Sequence, residues 1–312
     1  MLRPALRALA LTTCLALPAF ATEDTSFRSP TVLVLGDSQI PFGSGPVFLE
    51  FFENILVHCP PELIEAMELK PLADRNVAVI GVRSTSLHSW TARDGRAKGA
   101  ICDVDPKWKV NAGTYGSINT TGNKYKQIGQ GAAYQFCEDG QSAFEAMFRD
   151  GYYAPKLVVM NFLGNSSKRW AESYDAALDD VRKMNAQLPQ GTACIFMTTA
   201  PAYSKKITDR RLKAQANVER AFAETGSSCA FVAGLTEATV MANEGNAAHF
   251  RRNKAGRVKD PYHPNARAAA VFFKLRMADL CDAIHAKLRK QKNPAPEQVA
   301  ALRQKRDVRS AK

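Results

Sequence analysis

The sequence predicts an α/β fold in which a parallel sheet is covered by helices on both faces, and three observations carry that prediction. Short apolar runs alternate with longer helical segments between residues 31 and 288, the pattern of parallel sheets, whose crossovers lay helices on both faces. The first run, Val32-Leu33-Val34-Leu35, is apolar at every position before Gly36, as a strand buried on both sides should be. The last helical segment repeats Phe273, Met277, Leu280 and Ile284 at helical spacing, a stripe that belongs on a core. A chain of 312 residues is long enough for one such domain with a sizeable core.

Taken in order, 31–35 reads as the first strand, 47–57 as helix and 76–80 as the second strand. Next come strand 157–162, helix 170–188, strand 193–199, helix 209–224, strand 229–232 and helix 265–288. The interval 91–141 breaks the pattern. It is rich in Gly, Asn, Thr and Lys and holds Trp108, Tyr115, Tyr125, Tyr134 and Phe136 without sustained periodicity, so it reads as a long insertion after the second strand. Its aromatics offer flat apolar area with a polar edge, suited to stacking on sugar faces or to a small satellite core under the loop. Trp108, Tyr115 and Tyr125 are the candidate substrate-binding residues.

The N-terminus has the layout of a cleaved secretory signal. Arg3 and Arg7 precede an apolar segment over 8–17, and Ala19-Phe20-Ala21 supplies a small-x-small cleavage site. A membrane anchor would need an apolar run of about 20 residues, and Thr13 is a poor neighbour for a lipidated Cys14. The expected organisation is a signal over 1–21, one domain over 22–290 with its insertion at 91–141, and a basic disordered tail over 291–312. The expected location is the periplasm or the medium.

Export changes how the cysteines read. Setting Cys14 aside leaves six of the seven, namely Cys59, Cys102, Cys137, Cys194, Cys229 and Cys281, an even number in an oxidising compartment. Six cysteines allow 15 complete pairings. Cys102 and Cys137 bracket the insertion, Cys194 and Cys229 open two strands that could be neighbours, and Cys59 and Cys281 remain. No Cys-x-x-Cys or His-x-x-x-His spacing occurs, which argues against a zinc site; no metal or cofactor is expected.

The net charge of +12 falls to +10 without the signal, and residues 286–312 hold nine Lys/Arg against Glu297 and Asp307, hence +7. The body is left near +3. Its basicity gives little support for a nucleic-acid groove, although the tail could touch anionic envelope polymers.

The candidate chemistry lies at two distant places. Gly36-Asp37-Ser38 follows the first strand, where a sharp turn presents Ser38 at the sheet's C-terminal edge. Asp260-Pro261-Tyr262-His263-Pro264 precedes the last helix. A serine hydroxyl needs a base to take its proton, and the base works best when a third group orients it; Ser38, His263 and Asp260 are that set. The alternative use of Ser38 is a helix N-cap. Among the other histidines, only His88, just after the second strand, rivals His263.

These residues, with Gly164-Asn165 after a middle strand, resemble the signature blocks of the SGNH (GDSL-like) hydrolases, in the same chain order and over roughly residues 30–290. The resemblance implies a three-layer α/β/α, flavodoxin-like fold, with Ser38 as nucleophile, His263 as base and Asp260 as its partner. It also implies an oxyanion hole built from the backbone N–H of Ser38, a second-block N–H and an asparagine side chain. Here Ile80-Gly81-Val82-Arg83-Ser84-Thr85 puts Ser84 where the family has glycine, with Gly81 earlier. Gly164 and Asn165 are adjacent where the family spaces them by one. Asn165 is the candidate amide donor and Asn161 the fallback. The expected activity is removal of O-acyl groups, acetyl above all, from carbohydrate. The alternatives are a lipid or thioester hydrolase, a carbohydrate O-acyltransferase, or a non-catalytic carbohydrate-binding protein on the same fold.

Overall fold

Alternate residues of a strand point to opposite faces, and here both sets are apolar, so the sheet must be covered on each side. A computed structural model describes residues 30–59, 77–93 and 140–288, and the backbone alone over 112–118. Its main sheet holds β1 (Val32–Gly36), β2 (Val77–Val82), β3 (Ala112–Ile118), β4 (Leu157–Asn161), β5 (Ala193–Met197) and β6 (Ala230–Val232) in the order β3-β2-β1-β4-β5-β6. All neighbours are parallel except β2 and β3.

Among the described residues nine α-helices run around the sheet: α1 (Gly45–Glu53), α2 (Ile55–His58), α3 (Leu87–Thr91), α4 (Ala143–Phe148), α5 (Ser167–Glu172), α6 (Tyr174–Gln187), α7 (Lys205–Thr225), α8 (Glu237–Asn243) and α9 (Ala266–Leu288). On one face, Leu33, Leu35, Val158, Met160 and Phe196 pack with Trp90, Trp170, Val181 and Val218. On the other, Val32, Val34, Val159 and Met197 pack with Phe48, Phe52, Phe273 and Ile284. Two cores back to back make three layers, as the family resemblance implies. Phe273, Leu280 and Ile284 of the α9 stripe are buried, and Met277 packs beside them.

The chain departs from its sequence reading in instructive places. The helix expected over 170–188 is two, because Ser173 leaves helical geometry and its hydroxyl accepts the Ala176 N–H to start α6 afresh. That expected over 47–57 breaks at Asn54, between α1 and α2. The insertion is not wholly irregular: β3 joins β2 antiparallel, with Tyr115 opposite Val79 and Ser117 opposite Ala78, so Gly116 is the extra residue of a bulge. An edge strand broken by Gly113 and Gly116 has little periodicity to read. A further two-stranded hairpin, β7 (Phe250–Arg252) and β8 (Val258–Pro264), leads into α9.

Two disulfides close the described domain, Cys59–Cys281 and Cys194–Cys229. The first ties the end of α2 to α9 across 222 residues and the second joins β5 to the start of β6. Each such bridge typically contributes about 2–4 kcal/mol by restricting the unfolded chain. No described helix is long and apolar enough to cross a membrane. The signal, the tail, Cys102, Cys137, Trp108 and Tyr125 lie outside the described residues.

Candidate active site

Chain order runs outward from β1 to β2 on one side, then returns to place β4 on the other. The C-terminal ends of β1 and β4 therefore open at a topological switch point, where open α/β sheets leave a crevice. Ser38 follows β1 there, Ser84 and Thr85 follow β2, and Gly164 and Asn165 follow β4. The β8 segment then brings the histidine from 225 residues away.

Ser38 Oγ lies 2.9 Å from His263 Nε2, and His263 Nδ1 lies 2.8 Å from Asp260 Oδ2. Local backbone chemistry sets that second contact. Asp260 Oδ1 accepts the N–H groups of Tyr262, at 3.0 Å, and His263, at 3.2 Å, folding the segment back on its own carboxylate. The sequence places this pair at a loop-to-helix junction; the structure puts it at the end of β8, and the turn is made by the aspartate itself. Burial pushes the Asp260 carboxyl up, but the hydrogen bond from His263, its charge and the two backbone N–H groups outweigh that and hold it below the ordinary carboxylate value.

Ser38 Oγ has a second neighbour, Asn165 Nδ2, at 3.3 Å; the same amide donates to the Thr85 carbonyl at 2.8 Å. The residue capping the turn after β1 is Asp37, whose Oδ1 accepts the Gln39 N–H at 2.9 Å. Asn161 is turned away, donating to the Met197 carbonyl. Ser84 has a backbone φ of 64°, the left-handed conformation that glycine adopts without cost. That accounts for the glycine the resemblance places at this position; serine holds the same conformation at a cost. Gly81 sits inside β2, paired with Gly36, and a Cβ there would fall 2.4 Å from Ile40 Cβ. Its small size makes room for the turn after β1. Tyr115 lies on β3.

His88 is not brought to this site. It faces Asp180 at 3.3 Å, on a carboxylate that also takes Arg169 and the Trp170 indole.

Five residues to which the sequence reading assigns no role, Asp37, Gln39, Phe42, Arg83 and Arg211, surround the two halves of the site. Asp37 is fully buried; besides Gln39 it meets the Leu163 and Asn165 N–H groups, each at 3.4 Å. Burial raises its pKa, opposed by the Gln39 and Leu163 hydrogen bonds and the charges of Arg211 and His263. Arg211, equally buried, donates to the carbonyls of Ala200 at 2.8 Å and Tyr262 at 2.9 Å. Burial lowers its pKa to about 10 against the charge of Asp37, so it remains a cation at neutral pH. Gln39 donates to the same Tyr262 carbonyl at 3.0 Å. The carbonyl beside His263 is thereby tied to the loops carrying Ser38 and Asn165. On the other side, Phe42 stacks on the His263 ring at 4.2 Å, and the Arg83 guanidinium lies 4.4 Å from the Phe42 ring centre.

No protein-family model matches the sequence, and none of the curated proteins does. Among solved structures, the chain is similar to a catalytic mutant of an acetylxylan esterase from Geobacillus stearothermophilus at 14% identity, covering 82% of this chain and 93% of that one with a TM-score of 0.38. It is similar to a carbohydrate acetylesterase from Sinorhizobium meliloti at 12% identity, over 82% and 98% of the two chains, TM-score 0.37. A DUF4886 family protein from Bacteroides uniformis gives 15% identity over 78% and 82%, TM-score 0.36.

Proposed function

We propose that the protein is an exported serine esterase that removes O-acyl groups, acetyl in particular, from carbohydrate. The observation that carries this is the unbroken chain of contacts Ser38 Oγ to His263 Nε2 and His263 Nδ1 to Asp260 Oδ2, at 2.9 and 2.8 Å, between residues 225 apart in sequence. In the reaction Ser38 Oγ attacks the acyl carbonyl while His263 Nε2 takes its proton. Asp260 keeps the ring in the orientation that leaves Nε2 free and balances the imidazolium that forms. The oxyanion is met by the Ser38 N–H, the Ser84 N–H and the Asn165 amide. His263 then gives its proton to the departing sugar oxygen, leaving the acyl group on Ser38. Water attacks that ester with His263 again as base, which frees the acid and restores the serine. No metal or cofactor takes part.

Export is supported by the N-terminal pattern and fits the two disulfides. Carbohydrate as the acyl carrier is supported by the exposed aromatic Tyr262, 47% exposed, beside the reacting pair. The test is hydrolysis of p-nitrophenyl acetate and of an acetylated polysaccharide by the purified mature chain in chelator-treated buffer. Turnover of both is the expected result; no turnover of either, or turnover only after a metal is restored, would set the proposal aside.

A further inference from the structure

The chain carries its charge unevenly. Residues 22–285 sum to +3, yet the ten residues 250–259 alone hold Arg251, Arg252, Lys254, Arg257 and Lys259 and no acid. With Asp260 counted, the β7–β8 hairpin over 250–264 carries +4, and the rest of residues 22–285 sums to −1. All five cations are exposed, and none forms an ion pair with a described residue. A cluster of like charge costs self-repulsion, and this one is held in place. Gly256 N–H donates to the Asn253 carbonyl at 3.0 Å and Arg257 N–H to the Asn253 side chain at 3.0 Å, while Gly256 takes a φ of 76°. The hairpin pairs Arg251 with Asp260 and Arg252 with Val258, its register shifting on either side of Arg251.

Its position matters as much as its charge. β8, which begins just after Arg257 and carries Lys259, also carries Asp260, Tyr262 and His263. Arg267, exposed in the first turn of α9, adds a sixth cation at the base and lies near enough to His249 to lower its pKa after burial has done so. The hairpin cations and the exposed Tyr262 thus lie on the segment that ends in His263, the partner of Ser38.

We infer that the hairpin is a docking rail for a polyanionic glycan, and that the acyl ester presented to Ser38 is borne on a polymer with repeating carboxylates or phosphodiesters. The glycan, not a nucleic acid, is favoured because sugar hydroxyls beside the anions carry acyl esters, which a nucleic-acid backbone does not offer to this chemistry. The inference rests on the esterase proposal for its ester, but the binding surface stands apart from it.

Two measurements on the full mature chain keep the two separate. The first is binding to non-acetylated polygalacturonate at low and at 0.5 M salt, compared between wild type and the triple variant Arg252→Glu, Lys254→Glu, Arg257→Glu, with roughly these salt levels chosen to span strong and weak screening. The basic tail is present in both proteins, so their difference reports the hairpin. Wild type should bind at low salt and release at high salt, and the variant should bind on the order of tenfold more weakly or worse. Equal binding by the two, or no binding by wild type, overturns the inference; so does a duplex DNA bound as tightly as the glycan. The triple variant Arg252→Gln, Lys254→Gln, Arg257→Gln should fall between, and matched melting curves exclude misfolding.

The second measurement is the ratio of turnover on O-acetylated polygalacturonate to turnover on p-nitrophenyl acetate. That ratio should fall by about tenfold in the glutamate variant and in high salt. An unchanged ratio, or equal preference for neutral acetylated xylan, overturns the anionic substrate even where the esterase stands. Binding without any ester turnover would instead retain the rail and remove the esterase.

Discussion

Ser38→Ala and His263→Ala should each lower hydrolysis of short acyl esters by on the order of 10³ or more, while leaving the melting temperature close to that of the parent. Neither side chain belongs to the apolar core. Among the described residues Ser38 Oγ hydrogen-bonds to His263 and Asn165, and the His263 ring lies between Ser38, Asp260 and the face of Phe42. The double variant should be no slower than either single one, because nucleophile and base act as a unit. Asp260→Asn should be damaging by less, since an amide oxygen can still accept the Tyr262 and His263 N–H groups that fold the turn. It loses the carboxylate that balances the imidazolium. The check is kcat/KM for p-nitrophenyl acetate across the parent and the four variants; comparable rates in parent and Ser38→Ala would place the reaction elsewhere.

The second large effect is expected far from any motif. Arg211→Met should destabilise the fold by about 3–5 kcal/mol, the cost of leaving a buried partner charge uncompensated. In a domain of this size that is roughly a 10 °C fall in Tm. Asp37 would keep its buried carboxyl without the guanidinium nearby, the Ala200 carbonyl would lose the Arg211 donor, and the Tyr262 carbonyl would keep only Gln39 of its two side-chain donors. Arg211→Lys should restore part of the stability, because a point charge returns, but not all of it. One ammonium cannot reproduce the planar fork that spans two carbonyls. Since the Tyr262 carbonyl adjoins His263, kcat should fall in both variants with KM for a small ester nearly constant. A variant that melts like the parent would show that the buried cation does not hold the site.

The contrast between Ser38 and Arg211 shows what the sequence discloses. Gly36-Asp37-Ser38 and Asp260-Pro261-Tyr262-His263 are local signals, each placed beside a strongly apolar element whose type is readable, so their meeting across the sheet follows from a recognisable topology. The Cys194–Cys229 bridge is legible in the same way, through two strands that neighbour one another. Arg211 reads as one more surface cation within Asp209-Arg210-Arg211-Leu212. Its only signal is helical phase: Ile207, Arg211, Ala214, Val218 and Phe222 share the buried stripe of α7. A cation in such a stripe needs a partner, and that question would have led to Asp37.

Other features leave less trace. The hairpin β7–β8 is mostly exposed and charged, so alternation of apolar and polar residues never arises, and its turn is set by Asn253 and Gly256 alone. Among the described strands β3 pairs with β2 alone, and it contains two glycines. The left-handed Ser84 is invisible in composition, since nothing about serine announces a positive φ. Phe42 and Arg83 belong to the site through stacking, which sequence spacing does not encode.

The most direct measurement is covalent capture of the nucleophile. The mature protein is incubated with a fluorophosphonate, digested and read by mass spectrometry, with His263→Ala treated in parallel. One adduct per chain is expected, on Ser38, formed in step with loss of ester hydrolysis and much slower in His263→Ala. An adduct on another residue, or full loss of Ser38 labelling with hydrolysis retained, would contradict Ser38 as the nucleophile.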